Sequence, residues 1–188
     1  KITAKWQSCL DLESPRLPKL DLPAEWIFTT DPDDKGVSEK WYANQRFYDA
    51  VFRKADEFRG EEASLKGLTR LHINRGVGWE QQGFPGFDGY GWYFQNIEIP
   101  EDMFGWNHLY LYFRGVNERG WVYVNGEPAF EGSRTLSSDV KRYLKQGSRN
   151  RIAIRVTHSS GLGGISYPAM LIGTDEECTA AQLNKYRF

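Results

Sequence analysis

Between Trp79 and Tyr90 the chain sets aromatic rings among polar side chains: Trp79, Gln82, Phe84, Asp88 and Tyr90, with Glu80 and Phe87 interspersed. A saccharide offers weakly positive C–H patches that sit on the negative face of an aromatic ring, and hydroxyls that take planar, bidentate partners. Gln82, Asp88, Asn117, Arg119, Arg134 and His158 have side chains suited to the second task, as has Glu118. Each has a plainer reading. Trp79 is as readily a core ring, and Asp88 a cap on the Asp88-Gly89 turn. The plainer reading of Arg119 is a solvated charge, and His158 reads more readily as a satisfied loop histidine than as a ligand, while Trp92, Tyr93 and Trp121 read as core and Trp106 as core or edge. Arg119 and Arg134 near one rim would favour an anionic ligand, such as a uronic or sulfated sugar.

Hydrolysis of a glycosidic bond needs two carboxyl groups about 5 Å apart, or wider for inversion. Glu80, Asp88 and Glu118 are the acids that could meet at such a rim, but no nucleophile elbow, zinc spacing or phosphate loop accompanies them. Asp31, Asp33 and Asp34 lie in a turn and are the one candidate calcium cluster, although Pro32 and the lack of a closing Glu depart from an EF-hand. No other cofactor is implied.

The elements that must position these residues are strands. From residue 68 short alternating runs follow one another: 71–73, Tyr90 to Ile99 ending at Pro100, 109–113, 121–124, 151–156 and 169–172. Asn125-Gly126 is the strongest hairpin signal, and 117–120 reads as a further turn. Upstream, Pro15, Pro18 and Pro23 mark an extended lead-in before a strand at Trp26 to Phe28. The spacing of Phe47, Val51, Phe52, Ala55 and Phe58 predicts one short amphipathic helix within 45–66. If strands alternate in direction, segments 81–89, 117–120, 132–135 and 157–164 share one end of the sheets.

Composition agrees with a single all-β sandwich spanning residues 1–188. Aromatics make up 15% of the chain (seven Trp, ten Tyr, eleven Phe), more than such a core needs. A formal charge of −1 without a basic stripe excludes a nucleic-acid surface, and no apolar run approaches the roughly 20 residues that cross a bilayer. The chain starts at Lys1 without a charged-then-apolar leader and reads as a mature or excised module. Cys9 and Cys178 lie near opposite ends of the chain, where terminal strands of a sandwich run side by side. They are either a disulfide, which fits a secreted, extracellular or periplasmic protein, or two buried thiols.

Residues 109–126 (LYLYFRGVNERGWVYVNG) resemble the signature hairpin of the sugar-binding domain of glycoside hydrolase family 2. The likeness extends upstream through Trp79 to Gly83, Asp88 to Tyr93 and Ile99-Pro100. Downstream it runs through Ser133-Arg134, Asp139-Val140, Ile152 to Val156, Gly163-Gly164-Ile165, Pro168 and Leu171. It covers roughly residues 68–173, and 43–66 departs from the pattern. The resemblance implies a galactose-binding-like jelly-roll sandwich, whose loops matching 81–89 and 157–164 face the sugar. It also implies that the catalytic carboxylates lie in a later barrel that these residues lack. The expectation is a non-catalytic carbohydrate-binding module for a polysaccharide-degrading enzyme. The alternative is a scaffold domain that packs on the barrel and binds no sugar alone. Turnover by the isolated chain is the remote third reading. Fold alone does not decide between them.

Overall fold

A computed structural model describes residues 18–57 and 68–184, with the side chains of 54–57 excepted. Its strands are β1 (Lys19–Asp21), β2 (Glu25–Asp31), β3 (Leu68–His72), β4 (Gly89–Glu98), β5 (His108–Val124), β6 (Glu127–Asp139), β7 (Arg149–His158) and β8 (Met170–Thr174). Among the described residues the α-helices are α1 (Lys35–Ser38) and α2 (Gln45–Glu57) between β2 and β3, and α3 (Ala180–Leu183) after β8.

All pairings are antiparallel, in the order β1-β8-β5-β7-β4-β2-β3, with β6 alongside β5. Strand β5 is the hinge of the architecture. Residues 108–112 pair with β8 and residues 119–124 with β7, so one strand belongs to two sheets. Successive side chains face opposite sides, and the inward-facing set passes from odd positions in the first half to even positions in the second. Leu109, Leu111, Phe113, Val122 and Val124 point into the core between the sheets, together with Trp26 and Phe28 of β2, Ile152 and Ile154 of β7 and Leu171 of β8. Tyr110 and Tyr112 face outwards onto Met170, Ile172 and Leu183 of α3.

The turn expected at 117–120 does not exist. Strand β6 follows β5 along nearly its whole length, and register shifts at Arg114/Val116 and Val116/Gly120 absorb the bend as bulges. Gly115 (φ 72°) and Glu118 (φ 53°) take left-handed conformations there. A bent strand turns the corner that a hairpin was expected to make.

The Asn125-Gly126 hairpin forms as read, with φ of 51° and 89°. Asn125 also locks its neighbours: its side chain donates to Tyr143 O and Asn150 Oδ1 and accepts from Arg151 N, at 2.8, 2.8 and 2.9 Å.

The amphipathic helix is α2, capped where Asn44 Oδ1 accepts from Phe47 N at 3.1 Å. It covers the outer face of β2, β4, β5 and β7, packing Tyr48 and Val51 on Ile27, Trp92, Phe94, Tyr123 and Ala153. The buried Tyr48 hydroxyl donates to Ile152 O at 2.6 Å, and burial pushes its ionisation far above the usual phenol range. Trp92 and Tyr93 are core residues as expected, but Trp121 is half-buried on the outer face.

The acidic turn is a helix start. Asp31 accepts from Lys35 N (2.7 Å), Gly36 N (2.8 Å) and Trp92 Nε1 (2.9 Å). Both its oxygens face N–H donors, and among the described residues no three acidic, histidine or cysteine side chains gather to hold a metal ion. Cys9 lies outside the described residues, and with it the proposed disulfide to Cys178.

Replacing Tyr48 by Phe should remove its hydrogen bond to the Ile152 carbonyl and cost about 1 kcal/mol in urea unfolding. An unchanged midpoint would show that α2 docks without this bond.

Candidate functional site

The four segments expected to share one end do meet, at the corner where β5 bends. Gly89 opens β4 opposite His158, the last residue of β7. Arg119 lies opposite Thr157, and Gly120 opposite Gly132. The loop after β7 then crosses back and is tied down at both sides. Asn117 N donates to Gly164 O at 3.0 Å, and the Asn117 side-chain amide donates to Leu162 O. Trp79 N donates to Gly163 O at 3.1 Å, while Gly163 N donates to Glu80 Oε1 at 2.8 Å.

Glu118 is the central latch. Its Oε1 accepts from Ser159 N and Ser159 Oγ, both at 2.7 Å, and from Ser160 N at 3.2 Å. The Ser159 hydroxyl is the largest influence and, with the two amides, holds the carboxyl below the usual glutamate range against an opposing effect of burial. The left-handed conformation at Glu118 aims the side chain across the corner.

Beneath this latch lies a buried polar layer. His158 Nε2 sits 3.1 Å from Glu80 Oε1, and His158 Nδ1 sits 3.9 Å from Glu118 Oε1. The Trp79 ring stands edge-on to the imidazole, centroids 5.5 Å apart. Among the described residues, Trp79 Nε1, Glu80 Oε2 and His158 Nδ1 are buried without a hydrogen-bond partner. Such groups cost about 1–3 kcal/mol each, and their gathering in one place marks a position not optimised for stability alone. The imidazole fills the space between the two glutamates, so they do not form the open carboxylate couple of a glycosidase.

The sequence-derived candidates divide. Trp79 is fully buried and packs on Phe28 and Phe87 as well as His158, so no ring face remains for a sugar. His158 is buried too and supports the loop from below. Gln82 pins the edge of β3, accepting from His72 N at 2.7 Å and donating to His72 O at 3.1 Å. Phe84 turns inwards onto Phe28, centroids 5.0 Å apart. Asn117 is a tie, as described above.

Tyr90 and Arg119 belong to a neighbouring cluster on the outer sheet face. The Arg155 guanidinium lies between Tyr90 (3.8 Å) and Trp121 (4.4 Å) and pairs with Asp34 at 2.6 Å. Arg119 pairs with Glu131 at 2.7 Å and covers Trp121 at 5.5 Å. It is thus neither a bare solvated charge nor free for an anion. Asp88 and Arg134 remain exposed at the corner, Arg134 in a left-handed conformation (φ 65°). Ser159 and Ser160, exposed at the loop tip, were not singled out by sequence reasoning. The readable signal for them was the Gly163-Gly164 pair, since a Cβ at Gly163 would collide with the Trp79 indole nitrogen.

Two antiparallel sheets sharing a bent strand, with polar loops gathered at one corner, define a jelly-roll sandwich. The chain belongs to the glycosyl hydrolases family 2, sugar binding domain, whose model matches residues 19–178. It is similar in structure to a β-glucuronidase from Ruminococcus gnavus in complex with uronic isofagomine, at 14% identity and a TM-score of 0.65, over 87% of this chain and 30% of that one. A Lactobacillus rhamnosus β-glucuronidase is similar at 14% identity and a TM-score of 0.67, over 87% and 30% of the two chains. The chain thus spans under a third of these enzymes, and the likeness shows the fold. No curated protein matches in sequence.

Two outcomes follow from the latch. Gly163→Ala should destabilise by about 1–3 kcal/mol through overpacking against Trp79, measured by thermal unfolding. Because the Glu118 carboxyl is held low in the fold, its stabilising effect is complete above the unfolded value near 4.3 and is lost as pH falls through the lower folded value. Amide exchange at Ser159 and Ser160 should accelerate in that acid window, and Glu118→Gln should remove the pH dependence.

Proposed function

We propose that this chain is the non-catalytic, sugar-binding part of a larger glycoside hydrolase and that it holds the enzyme on a polysaccharide outside the cell. The observation that carries this reading is the latched corner. Glu118, Asn117, Glu80 and Trp79 fix the loop 157–164 from two sides, so its exposed hydroxyls and the nearby Asp88 and Arg134 are presented in a set geometry. Preorganised polar groups lose little entropy on binding, which is what a weak, hydroxyl-rich ligand requires. Affinity in the millimolar to micromolar range, about −4 to −8 kcal/mol, is adequate when a tethered catalytic domain raises the effective concentration.

A second reading has its own support. The rings of Trp79 and Phe84 are turned into the core, which weakens independent binding by stacking and favours a scaffold that completes a site only against its barrel.

Affinity electrophoresis of the 188-residue chain in gels containing neutral, uronic or sulfated polysaccharide separates the two. Retardation on at least one gel is expected. Arg134→Ala combined with Asp88→Ala should weaken it several-fold without moving the thermal transition. Uniform mobility across the panel would support the scaffold.

A further inference from the structure

Beside the corner, on the flank of the smaller sheet, two guanidinium groups lie over one tyrosine ring. Arg114 of β5 stands 4.9 Å from the Tyr167 centroid and Arg75, in the turn after β3, 6.0 Å from it. Both arginines are exposed, and among the described residues neither forms an ion pair. That sets them apart from Arg119, Arg149 and Arg155, each paired with a carboxylate within 3.0 Å. Two like charges brought to one ring repel each other, the more so as the ring excludes water between them. In a chain of net charge −1, an uncompensated pair of this kind stands out.

The local backbone is built to hold the arrangement. Gly115 is left-handed (φ 72°), and a Cβ there would strike the Tyr167 ring, so only glycine lets the ring lie against β5. Ser166 closes the same contact, since its amide and its hydroxyl both donate to Gly115 O at 2.9 Å. Gly76 N donates to Ser166 O at 3.0 Å and draws the Arg75 turn to the same place. Tyr167 follows directly on the latched loop, whose Ile165 bridges Val116, and Val116 pairs with the exposed Arg134. Two cations from separate segments therefore meet on a ring supplied by a third segment, next to the corner.

We infer that Arg75 and Arg114, fixed by the ring of Tyr167, form a subsite for an anionic saccharide bearing carboxylate or sulfate groups. A guanidinium presents two parallel N–H donors that match either oxyanion, and stacking on a ring preorganises that fork. The inference rests on the sugar-binding reading for the ligand's class, and it moves the anion preference away from Arg119, which Glu131 neutralises.

The test is affinity electrophoresis of the 188-residue chain in gels of polygalacturonate, dextran sulfate and neutral dextran. Wild-type protein should be retarded by at least one polyanion, and less so as salt is raised. Arg75→Gln with Arg114→Gln should weaken that retardation at least tenfold at an unchanged thermal transition. The gel on which the loss occurs separates carboxylate from sulfate as the ligand. A charge-matched control, Arg142→Gln with Lys145→Gln beside the Asn125-Gly126 turn, should bind as wild type. Equal loss in both variants would reduce the effect to net charge and overturn the subsite. So would an unaltered double variant. Retardation by neutral dextran alone would overturn the anionic subsite while leaving sugar binding intact, whereas no retardation on any gel would end both.

Discussion

The shape of the molecule depends on one strand serving two sheets. Seventeen residues of β5 pair first with β8 and then with β7, and the bend between them must be absorbed without losing the ladder to β6. Bulges and left-handed residues at 115 and 118 do this, and they place irregular, polar backbone where both sheets end. A corner of this kind closes the core on its inner side and gathers polar loops on its outer side. The candidate site is the outer side of the structural solution.

That coupling explains why the buried layer under the corner is polar. His158 ends β7 opposite the first residue of β4, where a large apolar side chain would have no strand above it to pack against. Trp79 supplies bulk, while Glu80 and Glu118 supply the carboxylates that surround the imidazole. Part of the hydrogen-bonding capacity stays unmatched, so the loop above is held by geometry and charge more than by packing. Loops fixed in this way on a rigid scaffold are the segments that carry binding.

Much of this was legible in the chain. The alternation in 109–113 and 151–156, the Asn125-Gly126 turn and the spacing of Phe47, Val51 and Phe52 gave strands, hairpin and helix in their places. The family likeness gave the sandwich. Asn117 to Gly120 was misread, because turn-forming residues at a bulge have the same composition as those at a hairpin. Only the partner strand, β6, distinguishes the two. The direction in which a ring points was equally hidden. Trp79 opens a single 3-10 turn and Phe84 lies just after it, where no period of 2 or 3.6 assigns a face, and both turned inwards. The arginine pair over Tyr167 could not be seen at all, since Arg75, Arg114 and Tyr167 come from three distant segments.

The central claim is that saccharide meets this protein at the β5 corner. The most direct measurement is a titration of isotope-labelled chain with a polysaccharide digest, following backbone amide shifts. The account predicts the largest changes at Ser159 to Leu162 and at residues 134 and 167, with the α2 face silent. Shifts confined to the outer sheet face around Arg155 and Trp121, or to the far end by Asn125, would contradict it.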